Sequence, residues 1–305
     1  MDIFIQQIIN GLVLGSIYAL VALGYTMVYG IMGLINFAHG EVVMIGAMVA
    51  LFTLKALSGL PAIVSVPIAL AAAAAVCMAV GYSIEKIAYR PLRRAPKLAP
   101  LITAIGISII LQHLAMLIWG RNYHSFPAIL PPSEHDIFGA TITSLQVAIV
   151  IIAALMMAGL TLLVQRTRLG RAMRATAENP PIAQLMGVDI NQIISATFVI
   201  GSALAAVAGL MVSANYSIAH YYMGFMLGLK AFTAAVLGGI GNLAGAMLGG
   251  ILLGIIESLG AGYIGDITGG FLGSHYQDIF AFFVLIGVLI FRPSGLIGER
   301  VAERA

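Results

Sequence analysis

The sequence predicts an all-α polytopic membrane protein, and two observations predict it. Of 305 residues, 61% are hydrophobic and only 9% are charged, whereas soluble domains average about 25% charged residues. Charge-free stretches at 3–40, 56–83, 98–120, 137–165, 190–229 and 231–256 each exceed the roughly 18–20 residues that cross a bilayer. This composition excludes soluble enzymes and nucleic-acid-binding proteins. About nine hydrophobic segments, eight or nine of them spans, use most of the chain and leave short loops within one domain over 1–305.

The chain opens Met1-Asp2-Ile3-Phe4, with no basic n-region and no small-residue cleavage site, so it reads as a first membrane segment rather than a cleaved signal. Segments near 8–30, 41–58 and 61–82 come first. A pair at 98–120 and 141–164 follows, then 191–212, 229–262 and 278–291. Net charge is +3, from 15 Lys and Arg against 12 Asp and Glu, too slight to imply an acidic partner. Twelve basic residues fall in three clusters: Lys86, Arg90, Arg93, Arg94 and Lys97; Arg166, Arg168, Arg171 and Arg174; Arg292, Arg300 and Arg304. The positive-inside rule makes all three cytoplasmic. Residues 121–140, with Glu134 and Asp136, then lie outside, and three crossings upstream of the first cluster put the N-terminus outside.

Segment 229–262 has to cross an even number of times. After a turn about 30 residues remain, or about 45 Å of helix, against about 60 Å for two full crossings. Two short tilted helices or a re-entrant hairpin satisfy both length and parity. Non-helical backbone at depth is tolerated only within a bundle or beside water, so this segment is a candidate for a translocation path. Gly241, Gly245 and Gly249 repeat at four-residue spacing, followed by Gly250 and Gly254, and place small residues along a helix face for close packing. Gly11 to Gly15 loosely echoes Gly250 to Gly254.

No Gly-x4-Gly-Lys-Ser/Thr loop, His-Glu-x2-His pair or Cys/His cluster occurs, so the chain carries neither the usual nucleotide cradle nor the usual zinc site. It is expected to bind no cofactor of its own and not to be an enzyme. Cys77 is the single cysteine, within an apolar run, and is expected to be a buried structural thiol. Glu257 sits mid-segment, where a charge costs about 2.5–3.5 kcal/mol. The seven Leu and Ile between Leu248 and Leu259 return about 0.3–0.6 kcal/mol each. The segment only breaks even, so Glu257 faces the bundle or water, either paired with polar neighbours such as Ser258 or lining a path. Asn36, His39 and Glu41 interrupt the first apolar stretch. Asn36 can cap a helix whose first turn holds Glu41, and His39 is either an ordinary hydrogen-bonded histidine or a gate or substrate contact.

In the loop 166–190, Asn179 is a good N-cap, Pro180 suits the first helical position and Gly187 suits the left-handed residue after the last turn. These signals bracket a helix of about seven residues on which Ile182, Leu185 and Met186 share a face. A helix that short is unstable alone in water. It needs a surface: its own chain, the lipid, or a separate cytosolic subunit.

The motifs Gly30-Ile31-Met32-Gly33-Leu34-Ile35-Asn36-Phe37-Ala38-His39-Gly40-Glu41, Tyr89-Arg90-Pro91-Leu92-Arg93, Leu101-Ile102-Thr103-Ala104-Ile105-Gly106-Ile107-Ser108, Val236-Leu237-Gly238-Gly239-Ile240-Gly241-Asn242 and Arg292-Pro293-Ser294-Gly295-Leu296-Ile297-Gly298 resemble, in order, ABC importer permeases of the LivH type. The resemblance implies a permease for branched-chain amino acids in the bacterial inner membrane. It also implies two cytosolic ATPase subunits that use ATP, a related second permease or a second copy, and a periplasmic substrate-binding protein. The short helix would correspond to the family's coupling helix with its Glu-Ala-Ala-x3-Gly pattern. Ala183 and Gly187 match the last alanine and the glycine; Pro181 and Ile182 replace the glutamate and first alanine, leaving Glu178, three residues upstream, as the acidic contact. Relatives within the family handle urea or short amides. A stand-alone secondary transporter or channel is the alternative of another class, and would need a coupling-ion site for which only Glu257 is a candidate.

Overall fold

The computed structural model describes residues 2–93, 95–96, 98–131, 133–137, 139–269, 271, 276–292 and 294–298. Arg94, Lys97, Arg300 and Arg304 of the basic clusters and Pro293 of the C-terminal motif lie outside them. Among the described residues, seven helices are long and apolar enough to span a membrane: α1 (Asp2–Met32), α2 (His39–Ala56), α3 (Ala62–Ser83), α5 (Leu98–Trp119), α6 (Ser144–Arg166), α9 (Ile190–Tyr216) and α11 (Leu243–Ile267). Two shorter apolar helices join them, α10 (Met223–Gly238) and α12 (Gln277–Phe291). This is an all-α multi-pass membrane protein. The strands among the described residues form two antiparallel ribbons of a few residues: β1 (His124–Ser125) with β4 (Ile218–Ala219), and β2 (Glu134–Ile137) with β3 (Ala140–Thr143).

α1, α2 and α9 form the buried centre, whereas α3, α5 and α6 leave most of their surface open. Their open faces carry Ile63, Ile102, Leu117 and Leu155, as lipid-facing helices should, because hydrocarbon is as apolar as they are. Cys77 is fully buried and its thiol donates to the Val42 carbonyl at 3.3 Å.

The weak glycine echo has a physical basis. α1 and α11 run antiparallel in backbone contact, and a Cβ on Gly11 would stand 2.6 Å from Ile255 Cα, one on Gly15 2.6 Å from Ile251 Cα. Gly254 and Gly250 meet α1 in return, and Gly245 and Gly249 meet α10, so α11 is a small-residue seam on two sides. Gly241 is not on that seam. It lies in the turn before α11 with φ +97°.

Segment 229–262 was bounded too narrowly. α10 and α11 occupy 223–238 and 243–267 around the turn 239–242, giving a hairpin of two packed helices. Lys230 and Glu257, which bound the charge-free stretch 231–256, are interior residues of these helices and form an ion pair.

Contacts sort the loops into two ends. At one end Gln6 Nε2 on α1 donates to the Thr141 carbonyl at 3.0 Å, and β1 joins the 120–143 loop to β4 after α9. At the other, Arg93 Nη1 donates to Asn191 Oδ1 at 2.6 Å, the N–H groups of Leu296 and Ile297 donate to the Leu237 and Gly238 carbonyls, and Gly30 approaches Gly241.

Candidate functional site

The segment around Asn36 is broken backbone inside the bundle. α1 ends at Gly33 (φ +62°), and residues 34–38 lead to α2, which starts at His39 packed against Gly24. The helix cap differs from expectation. Ala38 occupies the N-cap position without a side-chain cap; Asn36 lies two residues earlier and its Oδ1 accepts from the Ala38 N–H and the Tyr89 O–H, each at 3.2 Å. Glu41 is in the first turn as expected, fully buried, with Oε1 accepting from Gln112 Nε2 at 2.6 Å and Ser108 Oγ at 3.2 Å on α5. Gly40 meets Gly224 and Gly228, so the N-termini of α2 and α10 converge. His39 stands edge-on to Tyr25 at 5.0 Å. His39 Nε2 and Glu41 Oε2 are buried without a hydrogen-bond partner among the described residues. Converging helix N-termini with broken backbone are the arrangement that membrane transporters use to meet polar cargo.

Glu257 belongs to a second cluster, two turns away along α1. Its Oε1 accepts from Lys230 Nζ at 2.6 Å and its Oε2 from Tyr18 O–H at 3.0 Å, while Lys230 also reaches Asp278 Oδ1 at 2.6 Å on α12. Ser258 is not its partner. That hydroxyl donates to Gln7 Oε1 at 2.7 Å instead. Beside the cluster is a cavity of about 300 Å³ lined by Tyr18, Tyr216, His220, Tyr222 and Lys230 among apolar residues.

At the Arg93 end of the bundle, α3 continues through a π-helical turn, Ile84–Tyr89, into α4 (Arg90–Leu92). The turn rotates Glu85 inward, a change of register that π-turns produce. Fully buried Glu85 accepts from Arg90 Nη2 at 2.9 Å, from Ser195 Oγ at 2.7 Å and from Arg93, which bolts α3 to α9. Next to it run α7 (Arg168–Glu178), N-capped by Thr167, and α8 (Pro180–Leu185). α8 is six residues long, one fewer than expected. Asn179 Oδ1 accepts from the Ile182 N–H at 3.1 Å, and Gly187 at φ +86° ends the helix. The Val188 N–H reaches the Ala183 carbonyl and the Gly187 N–H that of Gln184, each at 3.0 Å, which is a Schellman ending. Ala183 is buried under the helix; Glu178, Ile182, Leu185 and Met186 are exposed. Leu185 is 86% and Met186 80% open.

A family model described as "Branched-chain amino acid transport system / permease component" matches residues 7–289. The chain belongs to this permease family. The permease is 49% identical to the high-affinity branched-chain amino acid transport system permease protein BraD of Pseudomonas aeruginosa, over 99% of the chain and 98% of that protein. It is 44% identical to LivH of Escherichia coli K12, a permease protein of the same description, over 99% and 97%. A probable LivH permease of Methanocaldococcus jannaschii is 30% identical over 97% and 94%. Three groups of the Glu257 cluster were not singled out in the sequence: Tyr18, Lys230 and Asp278. Lys230 carried a signal, being a lone cation inside an apolar stretch 27 positions before a lone anion. It gained meaning only once α10 and α11 were seen to fold back on each other.

Proposed function

We propose that this permease is the membrane-embedded subunit of an ATP-driven importer that passes branched-chain amino acids across the bacterial inner membrane. It works with two cytosolic ATPase subunits that bind and hydrolyse the ATP, a related second permease or a second copy, and a periplasmic binding protein that delivers substrate. The observation that carries this reading is α8. Its ends are closed by Asn179 and Gly187, yet Ile182, Leu185 and Met186 face away from the chain, which suits a helix seated in a cleft of another protein. Glu178 is exposed at the end of α7 and supplies the acidic contact. The substrate class rests on the relatives' transport of branched-chain amino acids.

The two ends of the bundle support a topology of nine crossings. The start of α1, the strands β1, β2 and β3 and residues 217–222 lie outside; 84–93, α7, α8, 239–242 and 294–298 lie in the cytosol. α10, the shorter helix of the α10–α11 hairpin, starts within the membrane against α2 and completes the crossing by way of 217–222.

The test is reconstitution in liposomes. With ATPase subunits, partner permease and loaded binding protein, ATP should drive leucine uptake. This chain by itself should neither hydrolyse ATP nor accumulate leucine, and uptake by the chain alone under a proton or sodium gradient would refute the reading.

A further inference from the structure

Lys230 lines the 300 Å³ cavity, and the charges it meets behind that wall do not cancel. Lys230, 8% exposed, meets two carboxylates, Glu257 and Asp278, each at 2.6 Å. These two partners are not equivalent. The Glu257 side chain is 1% exposed and is held from its other oxygen by Tyr18, so it stays with Lys230. The Asp278 side chain is 36% exposed, in the first turn of α12. It is the partner that can leave.

We propose that the Lys230–Asp278 pair is a zwitterion site, which a substrate amino acid occupies by inserting between the two side chains. The substrate carboxylate takes the place of Asp278 on Lys230, and the freed Asp278 carboxylate accepts from the substrate α-ammonium. One ion pair becomes two, the formal charge of the site is unchanged, and Lys230 keeps Glu257. A ligand with only a carboxylate leaves Asp278 unpaired; one with only an ammonium competes for Asp278 and takes from Lys230 one of its two carboxylates without replacing it. Both outcomes cost desolvated charge. A neutral amide such as urea has no charge with which to open the pair at all. The rest of the cavity fits the other half of the substrate: Leu14, Ile17, Val212, Met223, Met226 and Leu227 offer an aliphatic surface, and the volume is that of a small-molecule pocket.

The proposal rests on the reading of the chain as an amino acid permease and extends it with a recognition step inside the membrane subunit. It also gives that step a mechanical consequence. Lys230 is on α10 and Asp278 on α12, so filling the site replaces a direct tie between two helices by one that runs through the substrate. The α10 N-terminus packs on α2 at Gly40 and its C-terminus holds the segment 294–298, so a shift of α10 is felt at both ends of the bundle.

The test uses the assembled complex in lipid nanodiscs with Cys77→Ser, whose hydroxyl keeps the donor to Val42, and Met226→Cys as a maleimide-reactive reporter of the cavity. Leucine alone should slow labelling, and urea should not. Asp278→Asn leaves the Lys230–Glu257 pair intact, so it should still assemble, but it should need about tenfold more leucine or worse for the same protection, as expected for one lost charged contact. Leucinamide and 4-methyl-2-oxopentanoate each keep one of the two charges, and in the unsubstituted site each should protect about tenfold less well than leucine. That comparison decides the matter even if Asp278→Asn fails to assemble. Absence of ATP-driven leucine uptake by the wild-type complex would defeat the functional reading. Uptake without leucine protection, protection unchanged by Asp278→Asn, or equal protection by either analogue would defeat the zwitterion site alone.

Discussion

The Lys230 ammonium on α10 stands 2.6 Å from the Glu257 carboxylate on α11, and both side chains are buried in the bundle. The hairpin is therefore clamped by charge where a membrane helix can least tolerate an unpaired one. Removing the two ends is predicted to have unequal effects. Lys230→Met strands Glu257 and Asp278 together and should destabilise by about 3–5 kcal/mol, the usual cost of leaving a buried charge uncompensated. Glu257→Gln keeps the Tyr18 contact and leaves Lys230 with Asp278, so its membrane abundance and melting temperature should fall less. Equal losses in the two variants would show that the clamp does not hold the hairpin.

The glycine seam between α1 and α11 is predicted to be intolerant of side chains. Gly15→Leu has no space against Ile251 and should lose about 1–3 kcal/mol or more through overpacking. Gly159 on α6 provides the control, since nothing lies within 4 Å of a Cβ there. Gly159→Leu should melt like the wild type in detergent, whereas Gly15→Leu should melt earlier. Matching curves would remove the seam.

Coupling and folding should separate within α8. Gly187 has φ +86° and no neighbour within 4 Å of a Cβ, so Gly187→Val strains only the helix ending, by about 1–2 kcal/mol, and misaims the helix. Leu185→Asp places charge on a side chain that is 86% exposed. Both variants should reach the membrane at normal levels and abolish uptake. Ala183→Asp, at a buried position, should instead lower abundance. Normal transport per molecule in the first two would overturn the docking assignment.

Sidedness is predicted from the sorted loops. In a Cys77→Ser background, Tyr123→Cys should react with a membrane-impermeant maleimide applied from outside intact cells, and Gln184→Cys only after the membrane is opened. Both positions are exposed. Labelling of Gln184→Cys from outside would invert the topology.

Much of this architecture was legible in the sequence because its causes are local. Bilayer thickness sets the length of an apolar run, so α1, α3, α5 and α6 are found within a few residues by composition alone. The ends of α8 are equally local: an asparagine side chain reaches an N–H three residues on, and a glycine supplies positive φ wherever it stands. Asn36 is not the cap itself, because a good capping residue says nothing about the two residues that follow it; Ala38 is the boundary, and the Asn36 oxygen is shared between the Ala38 N–H and the hydroxyl of Tyr89, 53 positions away. The limits of α10 and α11 were misjudged for a related reason. A lysine and a glutamate in apolar sequence look like interruptions when each is priced alone, and they stop being so when a hairpin brings them within 2.6 Å. The sequence by itself determined the long apolar helices outside the α10–α11 hairpin and the closed ends of α8, since these follow from hydrocarbon thickness and from contacts within one helical turn. Only the tertiary structure decided which charges are partners, which glycines face a backbone and where the cavity lies, because those depend on distances between residues that the chain separates by as many as 239 or 251 positions and that only packing makes neighbours.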